Sequence, residues 1–258
     1  MQIESPQNPK VKNLLKLQQK SRERKAQGMF VVEGLQENEL ALKAGFEPME
    51  FYLQPEIFNN SFNLPKTPNF HLSKSLFEKV AYRGSTGGIL GVYKVMTQSL
   101  DEIRLPKNAL VVVLEAVEKP GNLGAILRTC DGAAVDLLIV CDPLVDFYNP
   151  NVIRSSVGTL FTNNFISVEK EKSLEWFKTQ NVQIVSTFLH DDTVSIYESD
   201  LKKSTAIVLG TEAYGLSEFW AENADVLVKI PMRGAVDSLN VSNAAAICIY
   251  EALRQKAY

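Results

Sequence analysis

Residues 230–251 read IPMRGAVDSLNVSNAAAICIYE, a loop that leads into a helix. The DVLVKI before them alternates polar and apolar side chains, which is the period of a strand. Pro231 has no N–H to offer a ladder, so the strand is expected to stop at Ile230. Gly234 permits a turn that a side chain would obstruct. Ser238 and Asn240 then precede the small run Asn243 to Ala246. Side chains of this kind accept hydrogen bonds from the free N–H groups of a helix start. The helix is expected over Leu239–Arg254. A strand, a polar loop and a close-packing helix make a ligand cradle. A capped helix lying on a sheet is the plainer account of the same pattern.

Two earlier stretches share this design. Leu209 to Leu216, LGTEAYGL, follows the apolar run TAIVLG. Glu115 to Arg128, EAVEKPGNLGAILR, follows ALVVVLE. All three loops sit at carboxyl ends of expected strands, where open α/β sheets bind ligands. From Ala109 onward the strands expected are Ala109–Leu114, Val135–Cys141, Asn164–Val168, Val182–Phe188, Thr205–Leu209 and Val226–Ile230. The helices expected are Leu123–Gly132, Val152–Ser156, Ser173–Thr179, Leu216–Asn223 and Leu239–Arg254. Such alternation predicts a parallel sheet covered by helices. No G-x-G-x-x-G follows any of these strands, which counts against a nucleotide-dependent oxidoreductase.

The first 100 residues read as a smaller α/β segment. A helix is expected over Val11–Ala26, seated by Val11, Leu14, Leu15 and Leu17 and stopped by Gly28. Strands at Met29–Glu33, Met49–Leu53 and Ile89–Met96 and helices at Leu35–Ala44 and Ser73–Val80 complete it. Residues 59–68 read as a loop, and 98–108 as a linker.

The chain has 258 residues, of which 45% are hydrophobic and 22% charged, as in an ordinary globular protein with a sizeable core. No apolar run approaches the roughly 20 residues of a membrane span. MQIESPQNPK lacks the apolar region of a secretory signal. Cys130, Cys141 and Cys248 lie in apolar segments and read as buried free thiols of a reducing compartment, so a cytoplasmic protein is expected. His71 and His190 have no metal-ligand spacing with a cysteine, and no metal site is expected. His190, beside Asp191 and Asp192, reads as a loop residue because no nucleophile stands near it. Net charge is −3, yet residues 1–30 carry seven Lys/Arg against two acids, +5, leaving −8 for the remainder. This basic run either attracts phosphates or is a solvated helix face.

Together, in sequence, order and spacing, the three loops resemble the motifs of the SpoU (TrmH-like) RNA ribose 2′-O-methyltransferases of the SPOUT superfamily. The match runs from about Asn108 to the C-terminus. Asn122 and Arg128 carry the first motif, Gly210, Glu212 and Gly215 the second, and Ser238, Leu239 and Asn240 the third. Lys119 departs from the pattern, standing where family members often carry Asp before Pro-Gly-Asn. Phe30 to Gly34 and Gly87 to Gly91 are similar to parts of the domain, like ribosomal protein L30e, that precedes many such enzymes. The resemblance implies an RNA substrate-binding domain over 1–100 and a catalytic domain over 107–258. It also implies a trefoil knot in the second domain, S-adenosylmethionine as cofactor, and a homodimer. The substrate implied is a ribose 2′-OH of rRNA, with tRNA and a non-catalytic RNA-binding or assembly protein as alternatives.

The resemblance also assigns roles. Backbone at Leu209, Gly210, Ile230 and Leu239 is expected to hold the cofactor, with Met232 and Leu239 along its apolar part and Glu212 and Ser238 nearby. Gly210 and Gly234 are expected to let backbone approach it closely. Arg128 is the expected catalytic group, either as a base in a strongly cationic setting or as the stabiliser of a developing alkoxide. Asn122 is expected to cap its helix or orient Arg128, Glu212 to fix the motif loop or Arg128 through charge-assisted hydrogen bonds, and Ser238 and Asn240 to orient Arg128 or the substrate. Lys10, Lys12, Arg22, Arg24, Lys25 and Arg154 are expected to contact RNA.

Overall fold

The computed structural model describes residues 2–58, 62–82, 87–190, 193–211 and 215–257. The chain forms two compact units, each with its own sheet.

The first unit contains β1 (Gln2–Ile3), α1 (Pro9–Gln19), α2 (Ser21–Gln27), β2 (Met29–Glu33), α3 (Leu35–Lys43), β3 (Pro48–Leu53), β4 (Asn69–Leu72), α4 (Lys74–Val80) and β5 (Ile89–Lys94). Its sheet runs β1-β4-β3-β5-β2, parallel across the first three strands and antiparallel at β3–β5 and β5–β2. Val11, Leu14 and Leu17 seat α1 in a core with Tyr52, Leu72, Leu76 and Leu90.

The single helix expected over Val11–Ala26 is two helices, because Lys20 is extended (φ −123°, ψ 111°). Arg24, on the second of the two helices, is buried. Its Nη1 donates to Leu17 O (2.7 Å) and Gln18 O (3.1 Å), carbonyls at the end of α1 that have no partner within the helix. Gly28 closes α2 in the left-handed conformation, as expected (φ +62°). The short strands β1 and β4 were not foreseen.

The second unit begins at Gln98. It holds β6 (Leu110–Glu115), α5 (Pro120–Gly132) and β7 (Leu137–Cys141). The chain then returns to the first unit for Asp146–Thr162, which carries α6 (Pro150–Ser155). There the Phe30 ring packs on Tyr148 at 4.3 Å and on Phe161 at 6.2 Å between centroids. The second unit resumes with β8 (Phe165–Ser167), α7 (Lys170–Gln180), β9 (Gln183–Thr187), β10 (Val194–Ser195), β11 (Thr205–Leu209), α8 (Glu218–Glu222), β12 (Val226–Lys229) and α9 (Val241–Ala257).

Its seven strands are all parallel, in the order β10-β12-β9-β11-β6-β7-β8. Strands β6, β7 and β11 are buried along their whole length, which is why they read as unbroken apolar runs. Val111 and Val113 share a core with Trp176, Phe177 and Trp220, while α5 packs against α9. Every strand expected in this part is present within a residue or two of its expected ends. Among the described residues, only the two-residue β10 was missed.

All three cysteines are free and buried, as expected. Burial pushes each thiol up to about 12, with the Asp131 carboxylate adding to the rise at Cys130. A raised value leaves little thiolate at pH 8, and the thiolate is the reactive form. Ellman's reagent at pH 8 is therefore expected to modify none of the three in native protein and all three in guanidinium. Rapid native labelling of any one would contradict its burial. Among the described residues no helix is long and apolar enough to cross a membrane, and no His/Cys/Asp/Glu cluster could hold a metal ion.

Candidate active site

Three neighbouring parallel strands of the second unit, β12, β9 and β11, end at a common cavity of about 430 Å³. Thr187, Phe188 and Leu189 come from the end of β9, Leu209, Gly210 and Thr211 from β11, and Val228, Lys229 and Ile230 from β12. The loop before α9 closes it with Asp237, Ser238 and Leu239. A smaller cleft of about 70 Å³ adjoins it, sharing Gly210, Thr211 and Val241 and reaching Lys119 and Asn122.

Gly210 is required by its own loop. A Cβ there would lie 2.1 Å from the Gly215 carbonyl carbon and 2.3 Å from Leu216 N. Thr211 and Gly215 exchange two backbone hydrogen bonds of 3.0 Å. The close approach expected at Gly210 is thus made by the chain itself. At Gly234 nothing lies within 4 Å of an added Cβ. Gly210→Ala is expected to displace the loop at about 1–3 kcal/mol, the usual cost of forcing atoms into a filled space. Ligand affinity in this cavity should then fall tenfold or more with the fold retained. Unchanged affinity by titration calorimetry would contradict the role given to the loop.

Glu115, at the end of β6 and only 6% exposed, fastens the next part of that loop. It accepts from Ser217 N (2.7 Å) and Ser217 Oγ (2.6 Å), and Lys170 Nζ lies 3.4 Å from it. Sequence reading gave Glu115 no role, since its partner stands 102 positions away. The lining from β9 was missed as well, although the carboxyl-end rule, applied to every expected strand, points to it.

The expected site residues separate into groups. Leu209, Gly210, Ile230, Ser238 and Leu239 line the cavity. Met232, expected there, is not among the lining residues and is partly exposed. Asn240 caps α9, its Oδ1 accepting from Ser242 N at 2.9 Å. Its Nδ2 donates to Asn122 Oδ1 at 3.2 Å, so the first and third loops meet. Asn122 does not cap α5, because the helix begins two residues before it and Lys119 holds the N-cap position. Ser238 does not cap α9 either, since its Oγ donates to Asp237 Oδ1 at 3.1 Å. Arg128 is exposed on α5 and lines neither cavity. Glu212 lies outside the described residues.

In the first unit, Lys12, Arg22, Lys25 and Arg154 are exposed. Lys10 is paired with Glu50 (2.7 Å) and sits 4.4 Å above the Phe70 ring. Arg24, expected to contact RNA, cannot do so. It is 3% exposed and grips Asp146 through both Nε (3.2 Å) and Nη2 (2.6 Å), with Nη1 spent on the two carbonyls of α1.

Comparison with known proteins follows the division of the chain. The model of the SpoU rRNA Methylase family matches residues 109–250, and that of an MRM3-like substrate binding domain matches residues 8–91. A 23S rRNA (uridine-2′-O)-methyltransferase of Streptomyces viridochromogenes is 32% identical over 174 residues, covering 65% of this chain and 60% of that protein. The 23S rRNA (guanosine-2′-O)-methyltransferase RlmP of Bacillus subtilis is 30% identical over 249 residues, covering 96% and 98%. The crystal structure of the SpoU methyltransferase AviRb from Streptomyces viridochromogenes, in complex with AdoMet, superposes with a TM-score of 0.89 at 26% identity, covering 97% of this chain and 98% of that one.

Proposed function

The chain belongs to the SpoU rRNA methylase family, and we propose that it transfers a methyl group from S-adenosylmethionine to a ribose 2′-OH of ribosomal RNA. The observation that carries this reading is the cavity at the ends of β9, β11 and β12, inside the part of the chain that the family model matches. Its volume is in the range of small-molecule cofactor sites, which begins at about 300 Å³. Leu209, Leu216, Ile230 and Leu239 offer it apolar walls, and Thr187, Asp237 and Ser238 offer polar groups. That mixture suits a nucleoside bearing an amino-acid chain. Backbone at Leu209, Gly210, Ile230 and Leu239 would hold the cofactor, whose sulfonium supplies an already activated methyl group.

The protein's share is positioning and charge. Holding the 2′-oxygen in line contributes much of the acceleration in reactions of this kind. The Asn122–Asn240 pair supports the cleft beside Gly210, where the ribose would enter. Arg128 would offer its guanidinium N–H groups to the developing alkoxide and stabilise it. Because it lines neither cavity of its own chain, we assign it to the site of a partner subunit in a homodimer. The two relatives act on a uridine and a guanosine, so the ribose is the part of the target they share. Residues 107–258, apart from the Asp146–Thr162 stretch that belongs to the first unit, would perform the chemistry, and residues 1–100 with that stretch would bind the RNA. The knotted path of the family is supported by the place of β11 between β9 and β6 and by the packing of α9 against α5.

Calorimetric titration tests the cofactor assignment. Binding of S-adenosylmethionine, competed by S-adenosylhomocysteine, is the expected result. RNA binding without any affinity for either compound would favour the non-catalytic reading instead.

A further inference from the structure

Three segments of the first unit are drawn together by separate interactions. Gln18 Nε2, at the end of α1, donates to Val80 O at 2.9 Å. Arg24, on α2, holds Asp146. Arg154, on α6, places its guanidinium 5.5 Å from the centroid of the Tyr82 ring. The α1–α2 turn, the end of α4 and the 146–154 stretch therefore converge. At this convergence Tyr82 is 58% exposed, a large aromatic left in water. Its backbone is nevertheless fixed, since Tyr82 N donates to Glu33 Oε2 at 2.7 Å.

The charges around it are arranged unequally. Glu33 is engaged by Tyr82 N, Asp146 by Arg24, and Glu23 by Gln27. Lys20 and Arg22, on the turn between Gln18 and Arg24, are exposed, as is Arg154. None of these three cations forms an ion pair with a described residue. A fixed, exposed aromatic ring with a guanidinium on it, and exposed cations on the α1–α2 turn that Gln18 ties to the end of α4, has the chemistry that holds a nucleobase and its flanking phosphates.

We propose that Tyr82 and Arg154 form a stacking platform for one unpaired nucleobase of the RNA substrate, with Lys20 and Arg22 on the neighbouring phosphates. The proposal rests on the RNA-substrate reading and adds to it a preference for single-stranded over paired RNA. Every base has a π face, so the platform selects for an unpaired base and not for its identity. The buried Arg24 acts here as a strut: its grip on Asp146 holds the segment that carries Arg154.

The test is fluorescence anisotropy with full-length protein and two labelled RNAs, a hairpin with an unpaired loop and a blunt duplex of the same stem. Wild type is expected to prefer the hairpin. Tyr82→Ala should weaken hairpin binding about tenfold and leave duplex binding unchanged. Tyr82→Phe, which keeps the π face, should retain hairpin affinity. Equal affinity of Tyr82→Ala and wild type for the hairpin would overturn the platform, and so would an equal loss on both RNAs. No S-adenosylmethionine is present, so failure of methyl transfer leaves this result standing, and failure here leaves the cofactor titration standing.

Discussion

Arg128→Ala is expected to slow methyl transfer by about 10²–10³-fold while S-adenosylmethionine still binds with its wild-type affinity. That range is the usual loss when one preorganised donor to a developing oxyanion is removed. The two readouts separate because Arg128 is exposed and lines neither cavity, so truncating it leaves the pocket walls intact. A subunit-mixing experiment tests where it acts. Gly210→Leu would obstruct the pocket against Gly215 and Leu216 while leaving Arg128 in place. If Arg128 serves the partner's site, mixing the two inactive variants should restore activity to about a quarter of wild type, since half of randomly formed dimers are mixed and each has one intact site. No restoration after verified subunit exchange would place Arg128 in its own chain's site. Fast transfer by Arg128→Ala alone would remove it from the mechanism.

Arg24→Ala is expected to destabilise the first unit by about 3 kcal/mol. Removing one partner of a buried ion pair typically costs about 3–5 kcal/mol. The lower end applies because the Asp146 side chain keeps 18% of its surface exposed and stays partly solvated. Leu17 O and Gln18 O lose their donor in the same substitution. Asp146→Asn should cost less, since it preserves an acceptor for one of the two hydrogen bonds. Urea unfolding followed by fluorescence reads both, and a shift below about 1 kcal/mol for Arg24→Ala, the scale of surface pairs, would contradict the pair's structural role.

Arg24 also shows where sequence reading stopped. Along one helix from Val11 to Ala26 it falls seven residues after Leu17 and hence on the apolar face, a signal that was available but was absorbed into the basic run. The break at Lys20 had no such signal, as no Gly or Pro marks it. Strands β6 and β11 were legible because burial on both faces leaves an unbroken apolar run. Strands β1 and β10, at two residues each, are too short to show any period. In the candidate site, the residues of the three loops were legible because each loop follows a readable strand. The Asn240–Asn122 bond and the Glu115–Ser217 clamp were not, since they join positions more than a hundred residues apart. The excursion of Asp146–Thr162 into the first unit has the same character: its anchors, Phe30 and Arg24, lie far back in the chain.

The most direct test of the central claim is the position of the transferred methyl group. Protein would be incubated with ribosomal RNA and methyl-labelled S-adenosylmethionine, and the RNA digested to nucleosides. The account predicts label in a 2′-O-methylated nucleoside. Label on a base, or none on any ribosomal RNA despite bound cofactor, would contradict it.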